Sequence, residues 1–291
     1  MNVMTPSGVA LEASSVAGTT AELVRTALRE DAPTGDLTTS LVVPARLHCR
    51  AQLVVNRDGV LAGLLPASAA LTIAAEQDGL GGVEARWSRT DGARFAARDV
   101  VATFEGPART ILRAERVAIN LLSHLSGVAT LTRSFVDAAA PARILCTRKT
   151  TPGIRELERD AVVSGGGVLH RASLSQAVLV KDNHVKIAGS VSEAVRRARA
   201  TGLAVEVEVE SIAQLEEALR AGADRVLLDN FSPDLVRSAI ARVGQEDRIE
   251  VSGGVTLDNV AEFVAAGACW ISVGAITHSA PAMDMSLEVV D

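Results

Sequence analysis

Residues 205–230 have the sequence VEVEVESIAQLEEALRAGADRVLLDN. Valine and glutamate alternate at its start, which predicts a strand with Glu206, Glu208 and Glu210 on one face and the valines on the other. A helix-like segment begins at Ser211, and a second apolar run, Val226–Leu228, follows it. A strand, a helix and another strand in immediate succession indicate a parallel βα unit.

The same rhythm occupies the second half of the chain, where short apolar runs alternate with helix-like segments. The runs are Ile144–Cys146, Ala177–Val180, Val205–Val209, Val226–Leu228, Ile249–Val251 and Trp270–Val273. Charged residues or glycine follow each run, and barrel enzymes build their sites at this one end of the strands. A doubly wound sheet would instead carry a G-x-G-x-x-G turn after an early strand, and none is present there. The pattern therefore favours a βα barrel.

Composition excludes several classes of protein. The chain has 291 residues, 48% of them apolar but only 2% aromatic, and a formal net charge of −6. Few aromatic rings and an acidic balance argue against a nucleic-acid partner. The longest uncharged run, 59–75, is broken by Gly63 and Pro66, which argues against a membrane span. Three widely spaced cysteines predict a reducing, cytoplasmic location.

The distribution of residue types along the chain predicts four parts. Residues 1–19 are expected to be a disordered tail, and 20–115 show a mixed pattern of strands and helices typical of an α+β domain. Residues 116–280 carry the long helical region and the barrel pattern, and 281–291 form a C-terminal segment expected to return to the first domain.

Four fixed cations follow the early strands of the predicted barrel. Arg148 and Lys149 come after the first apolar run, and Arg171 and Lys181 flank the second. Because like charges repel, such a cluster in an acidic protein predicts an anionic ligand. The neighbouring His170, taken alone, is more often a structural histidine.

Acidic and small residues follow the later strands. Glu208 and Asp229 suit a Mg²⁺ ion, although an alternating acidic strand is more often a solvated edge strand. The turn Ser252-Gly253-Gly254 lies between a strand and a helix, and Gly274 follows the last strand. Small residues let backbone N–H groups approach a phosphate, although a tight turn alone would need them too.

Nine segments, taken in order, resemble quinolinate phosphoribosyltransferase (decarboxylating), also called nicotinate-nucleotide pyrophosphorylase. The segments are EDAPTGDLTT, AERVAINLLSHLSGVAT, TRKTTPGIR, GGGVLHR, LVKDNH, EVEVES, LLDNF, SGGV and VGAITHS. The match runs from about residue 29 to residue 290. The resemblance implies an N-terminal α/β sandwich domain followed by an irregular, TIM-like α/β barrel, the type II phosphoribosyltransferase architecture, in a homodimer.

The resemblance also implies a role for each matching residue. Arg116 would be donated by the neighbouring subunit, and quinolinate would be bound by Arg148, Lys149, His170, Arg171 and Lys181. Glu208 and Asp229 would lie near the ribose and Mg²⁺ and, with Lys149, would be catalytic. The 5-phosphate would be held by Ser252, Gly253, Gly254 and Gly274. The implied reaction joins quinolinate to phosphoribosyl pyrophosphate and gives nicotinate mononucleotide, pyrophosphate and CO₂.

Three short stretches depart from the family pattern: Arg159-Asp160, Leu169 and Ser173–Gln176. They leave open a paralogue that uses another pyridine or aromatic acid. A third hypothesis is a catalytically silent barrel that binds phosphate ligands, but such a protein would have no reason to keep both Glu208 and Asp229. A paralogue linked to molybdenum transport alters the Lys-Asp-Asn-His segment. That segment is intact here, so this paralogue is disfavoured.

Overall fold

The computed structural model describes residues 13–290, with side chains from residue 18 onward. The chain divides into two compact units. The sandwich unit comprises residues 13–131, 151–166 and 280–290 of the described range, and the barrel unit comprises Thr132–Thr150 and Gly167–Ser279.

The helices of the described residues are α1 (Ala13–Asp31), α2 (Leu37–Val42), α3 (Leu64–Asp78), α4 (Ala108–Ala138), α5 (Arg155–Ser164), α6 (Asp182–Ala188), α7 (Val191–Arg199), α8 (Ile212–Arg220), α9 (Pro233–Val243), α10 (Val260–Ala265) and α11 (Ala275–His278). The strands are β1 (His48–Val55), β2 (Gly59–Val60), β3 (Glu84–Trp87), β4 (Arg94–Phe95), β5 (Val100–Pro107), β6 (Arg143–Leu145), β7 (Val178–Val180), β8 (Val205–Val209), β9 (Arg225–Asp229), β10 (Ile249–Ser252), β11 (Trp270–Ser272) and β12 (Met285–Val289).

The sandwich unit is built on an antiparallel sheet with the strand order β12-β1-β5-β3. Pairing of β12 with β1 places residues 285–289 in this sheet. Apolar side chains of the strands and of α1, α3 and α4 form one core, in which Leu28, Leu61, Ile111 and Leu122 are fully buried. Burial of leucine and isoleucine at this level contributes about 1.5–3 kcal/mol for each side chain.

The first helix extends further than the sequence predicts. We predicted a disordered tail over residues 1–19; residues 1–12 of it lie outside the described residues, but 13–19 are helical, so that part of the prediction is wrong. Thr20, Val24 and Leu28 are spaced four residues apart and are buried. This stripe packs α1 against α3 and stabilises the helix from its C-terminal half.

The division between the units also differs from the predicted boundary. We predicted it at residues 115 and 116, whereas the compact units divide at 131 and 132, and residues 151–166 belong to the sandwich unit. The reason is α4, a single helix of 31 residues that has no break at 115. Its apolar stripe continues through Leu122 and Leu125, so its first six turns stay with the sandwich core.

The barrel unit contains six parallel strands in the order β6-β11-β10-β9-β8-β7. From β7 to β11 neighbouring strands follow the chain order, and β6 lies beside β11, so the order never reverses. A barrel requires such an order, whereas a doubly wound sheet reverses its order at a switch point. Between β6 and β7 the described chain has a bridge from Leu145 to Val168 instead of a regular strand pair. The predicted irregular α/β barrel after a sandwich domain is confirmed.

Alternation in β8 separates the two faces of the barrel wall. Val205, Val207 and Val209 are fully buried, as are Leu215 of α8 and Val236 of α9. The intervening glutamates therefore face the interior, where charge has to be compensated. None of the helices in the described part of the chain combines the length and apolar character that crossing a bilayer requires.

Candidate active site

A cavity of about 510 Å³ lies at the carboxyl ends of the barrel strands. Apart from Arg116, every site residue predicted above lines it. These lining residues are Arg148, Lys149, His170, Arg171, Lys181, Glu208, Asp229, Ser252, Gly253, Gly254 and Gly274. The barrel topology explains this gathering, because parallel strands deliver their C-terminal residues to one edge.

The loop after β6 is held by its backbone, which leaves its side chains available. The Oγ1 of Thr277 donates to the carbonyl oxygen of Lys149 at 2.8 Å, and the N–H of Lys149 donates to the Oγ1 of Thr147 at 3.1 Å. The Lys149 side chain itself is exposed and lines the cavity. The loop can therefore keep its shape without the lysine side chain.

Two guanidinium groups line the cavity next to each other. Arg171 is only 7% exposed, and its Nη1 donates to the carbonyl oxygen of Ala177 at 3.0 Å. Burial, and then the positive charge of Arg148, lower the pKa of Arg171. The Nε of Arg148 is buried without a hydrogen-bond partner among the described residues. Paired cations in such surroundings favour a bound anion, and a guanidinium offers a planar fork for a carboxylate.

The acidic side of the cavity is formed by Glu208 and Asp229. The Nζ of Lys181 donates to the Oε2 of Glu208, and the Nδ2 of Asn230 donates to the Oδ2 of Asp229 at 2.9 Å. Burial and the charge of Glu208 raise the pKa of Asp229. Carboxylates that repel each other in this way suit a hard dication such as Mg²⁺, which binds through one or two carboxylates, waters and phosphates.

The turn after β10 requires glycine. Gly253 has φ +83°, and a Cβ there would lie 2.4 Å from the Oδ1 of Asn230. The backbone of Asn230 donates to the carbonyl oxygen of Ser252 at 2.9 Å, which fixes the turn against the end of β9. The turn therefore brings backbone close to the cavity where a side chain would not fit.

Replacing Gly253 with alanine is expected to lower the free energy of unfolding by about 1–3 kcal/mol, because the new Cβ meets both a left-handed backbone and Asn230. The matched control is Gly244→Ala, where φ is +66° but no atom lies within 4 Å of the new Cβ. Urea denaturation of both variants checks the prediction. Equal losses at the two positions would contradict it.

The cavity also includes Glu250, Ser272 and His278, which sequence reasoning did not single out. Two of them had a usable signal. Glu250 lies two residues before Ser252 on a strand and therefore shares its face. His278 follows the last strand within VGAITHS, and a Cβ on Gly274 would lie 3.1 Å from its Nε2. Sequence reasoning nevertheless passed over Glu250, because this residue lies inside an otherwise apolar run.

A charged network includes His170, Glu250 and Ser272 of the cavity lining. The Nε2 of His170 lies 3.4 Å from the Oε2 of Glu206 and 3.6 Å from the Oε2 of Glu250. Arg225 lies 3.6 Å from Glu206 and 3.8 Å from Glu250, and the Oγ of Ser272 donates to Glu250 at 2.5 Å. Arg225 supplies one fixed positive charge to the two carboxylates.

The position of a proton decides what His170 can do. Burial opposes a positive charge on the ring, but Glu206 and Glu250 outweigh it and raise the pKa of His170. The N–H of Arg171, however, donates to the Nδ1 of His170 at 2.8 Å, and an imidazolium would carry a proton there. At this hydrogen bond Nδ1 is the acceptor, while Nε2 faces the two carboxylates. His170, Glu206 and Glu250 are also spaced like metal ligands.

Burial and the neighbouring Glu206 raise the pKa of Glu250 to about 7, from an ordinary value of 4.5. Between these two values the folded protein holds a proton that the unfolded chain has lost, so Glu250 makes the fold less stable as pH rises through this window. Glutamine cannot ionise. The Tm of Glu250→Gln, relative to wild type, is therefore expected to increase from pH 5 to pH 8. Thermal melting across this range tests it, with the exposed Glu262→Gln as control, and a constant difference would contradict it.

Arg116 belongs to the sandwich unit, whereas the other predicted site residues belong to the barrel unit. It lies on α4 in the sandwich unit, its side chain is 60% exposed, and its Nη2 lies 3.7 Å from the adjacent Glu115. It does not line the cavity of its own chain.

Comparisons with known proteins agree with this architecture along the chain. Residues 36–126 match the model of the quinolinate phosphoribosyl transferase N-terminal domain, and residues 128–288 match that of the C-terminal domain. The nicotinate-nucleotide pyrophosphorylase (carboxylating) of Mycobacterium leprae is 40% identical over 278 residues, which cover 92% of this chain and 96% of that protein. The quinolinate phosphoribosyltransferase (decarboxylating) 1b of Nicotiana tabacum is 35% identical over 92% of this chain and 81% of that protein.

A solved structure gives the same result for the fold. The nicotinate-nucleotide pyrophosphorylase from Francisella tularensis superimposes with a TM-score of 0.88 at 32% identity, over 99% of this chain and 100% of that one. Both domain models, the sequence relatives and the fold therefore agree over most of the chain. The chain belongs to the quinolinate phosphoribosyl transferase family.

Proposed function

We propose that this chain transfers the phosphoribosyl group from phosphoribosyl pyrophosphate to quinolinate with decarboxylation, giving nicotinate mononucleotide, pyrophosphate and CO₂, a step of NAD biosynthesis. Membership of the family supports this reaction. The observation that carries it is the pair Arg148 and Arg171, two cations close to each other in a cavity that Glu208 and Asp229 also line. A dicarboxylate acceptor supplies the negative charge that this pair lacks.

The acceptor end of the cavity is its cationic wall. Quinolinate carries two adjacent carboxylates, and Arg148, Lys149 and Arg171 offer guanidinium and ammonium donors to them. Because Arg171 is almost completely buried, its interaction with a carboxylate is screened little by water. This wall would hold the ring nitrogen of quinolinate toward the ribose.

The donor end is formed by the glycine turn and the end of β11. Ser252, Gly253, Gly254 and Gly274 line the cavity where backbone N–H groups can approach the 5-phosphate. Glu208 and Asp229 would hold Mg²⁺, and their hard oxygen donors and mutual repulsion fit that ion. When bound, Mg²⁺ would neutralise charge on the departing pyrophosphate.

The residues of the chain then act by position and charge. The ring nitrogen attacks C1 of the ribose as the bond from C1 to pyrophosphate breaks, and the ribose gains oxocarbenium character. Glu208 and Asp229 stabilise that positive charge, while Lys149 takes up negative charge on the leaving group. The pyridinium so formed accepts the electron pair released when CO₂ leaves C2, and that carbon is then protonated. The arginines orient the carboxylates for this loss, and the cavity limits access of water.

The second candidate is a paralogue that uses a different aromatic acid. This hypothesis rests on the three stretches that depart from the family pattern, Arg159-Asp160, Leu169 and Ser173–Gln176. Among the described residues, the lining of the large cavity includes none of these positions. This favours quinolinate, because an altered acceptor pocket would be expected to change residues that line it.

We further propose that the enzyme is a cytoplasmic homodimer in which Arg116 of one copy completes the site of the other. Arg116 is exposed and does not line the cavity of its own chain. Donation across a two-fold interface would be reciprocal, so that each dimer would hold two complete sites. The cytoplasmic location follows from the cysteine pattern of the sequence.

Release of pyrophosphate and CO₂ from quinolinate, phosphoribosyl pyrophosphate and Mg²⁺ tests the proposed function. Both products are expected in equal amounts with quinolinate, and nicotinate is run in parallel because it has no C2 carboxylate to lose. Pyrophosphate release with another acid but not with quinolinate would favour the paralogue. Absence of release with any acid would favour the silent barrel.

A further inference from the structure

The loop that leads from Arg171 to strand β7 is closed by two hydrogen bonds. The Nη1 of Arg171 donates to the carbonyl oxygen of Ala177 at 3.0 Å, and the backbone N–H of Ala172 donates to the Oε1 of Gln176 at 2.5 Å. Each bond joins the start of the loop to its end. The side chain of Arg171 and the peptide group that follows it are therefore tied to two adjacent residues, Gln176 and Ala177.

The end of this loop is fixed by the barrel sheet. Ala177 directly precedes β7, and Val178 of β7 pairs with Val205 of β8 in parallel register. The tip of the loop, residues 173–175, is exposed to solvent, and Leu174 is 71% exposed. Because the tip buries no apolar side chain, hydrogen bonds across the loop determine its shape.

Gln176 acts on the peptide group between Arg171 and Ala172. The N–H of this group is the donor to Oε1, so rotation of the group would break the bond and change the direction in which the Arg171 side chain leaves the backbone. Arg171 is 7% exposed and lines the cavity, whereas Gln176 does not line it. Gln176 is therefore placed to act on a ligand through the arginine, and not by contact.

We propose that Gln176 is a positioning residue for the quinolinate carboxylate that Arg171 binds: its amide oxygen fixes the peptide group after Arg171 and thereby holds the guanidinium in place. The inference deepens the proposed function and rests on it for the identity of the ligand. It also gives a role to one of the three stretches that depart from the family pattern, because residue 176 shapes the site without lining it.

Two substitutions separate the hydrogen bond from other effects of the side chain. Gln176→Ala removes the acceptor, whereas Gln176→Glu keeps an oxygen at the same reach. The Kd for quinolinate, measured by titration calorimetry, is expected to rise about tenfold in Gln176→Ala, the loss of one hydrogen bond, and to stay within about threefold of wild type in Gln176→Glu. The Kd for phosphoribosyl pyrophosphate should change little in either variant, because Gln176 holds a residue of the acceptor end.

The matched control is Gln214→Ala. The Oε1 of Gln214 accepts the N–H of Glu210 at 2.7 Å, a bond of the same kind across the same number of residues, and Gln214 does not line the cavity. This variant is expected to bind quinolinate as wild type does. An equal rise in Kd in Gln176→Ala and Gln214→Ala would overturn the proposal, because it would show a general loosening of the barrel. An unchanged Kd in Gln176→Ala, or equal weakening in the alanine and glutamate variants, would overturn it too.

Hydrogen–deuterium exchange of the free protein tests the positioning without a ligand. The amide of Ala172 is expected to exchange about tenfold faster in Gln176→Ala than in wild type or in Gln176→Glu. The same rate in all three proteins would overturn the proposal. If wild type bound no quinolinate while this difference in exchange was present, the proposed function would fail and the hold of Gln176 on the arginine backbone would stand.

Discussion

Replacing Lys149 with alanine is expected to lower kcat by about 10²–10³-fold while the fold stays intact. The Cδ of Lys149 lies 3.1 Å from the position of a Cβ on Gly274, and its charge lowers the pKa of Asp229 against the stronger effect of burial. The Lys149 side chain therefore lies beside Gly274 of the proposed phosphate site, and its charge acts on Asp229. This is where negative charge would develop as pyrophosphate leaves.

The loop should survive the change, because Thr277 and Thr147 hold the backbone of residue 149 and not its side chain. Steady-state kinetics with quinolinate and phosphoribosyl pyrophosphate measure the effect, and Tm checks the fold. Lys186→Ala is the matched control: that lysine is exposed and pairs with Asp182 at 3.0 Å, and it does not line the cavity. Activity of Lys149→Ala within tenfold of wild type would remove Lys149 from the catalytic residues.

Replacing Arg116 with alanine is expected to reduce turnover by a similar factor, about 10²-fold or more, if a dimer partner supplies this guanidinium. The side chain is 60% exposed, and Arg116 is not among the residues that line the cavity. Arg133→Ala on the same helix is the control, since Arg133 pairs with Asp137 at i+4.

Mixing the two inactive variants distinguishes donation across an interface from an indirect effect. In a mixed dimer of Arg116→Ala and Lys149→Ala, one site combines the intact lysine of the first copy with the intact arginine of the second. Random exchange of subunits should therefore restore about a quarter of the wild-type activity. If the mixture after exchange is no more active than its components, Arg116 does not act across an interface.

Much of the site could be predicted because its signals are local in the sequence. Arg148, Lys181, Asp229 and Gly253 each follow a short apolar run, and the carboxyl ends of parallel strands meet at one edge of a barrel. Alternation in residues 205–210 likewise placed Glu208 on the interior face without knowledge of its neighbours. Arg116 had no such signal, and its role came from the family resemblance alone.

Other features depended on contacts between distant segments. The boundary between the units was wrong because nothing in the sequence marks where the uninterrupted helix α4 passes from one core to the other. The predicted disordered tail ended too late in the chain, at residue 19, because the helix α1 is stabilised by packing against α3. The pattern taken alone favoured a structural His170, and the family resemblance implied a quinolinate contact. The neighbours of its ring, Glu206 and Glu250, come from two other strands.

The sequence by itself determined the parallel barrel, the end at which its chemistry collects and most of the residues there, because strand period and strand-end position are properties of neighbouring residues. Only the tertiary structure decided which charges are buried together. Arg171 becomes a nearly buried cation and Glu250 a carboxyl with a pKa of about 7 only when the curved sheet brings β8, β9, β10 and the segment before β7 around one interior. Desolvation and pairing of charge depend on that enclosure, which no single stretch of the chain specifies.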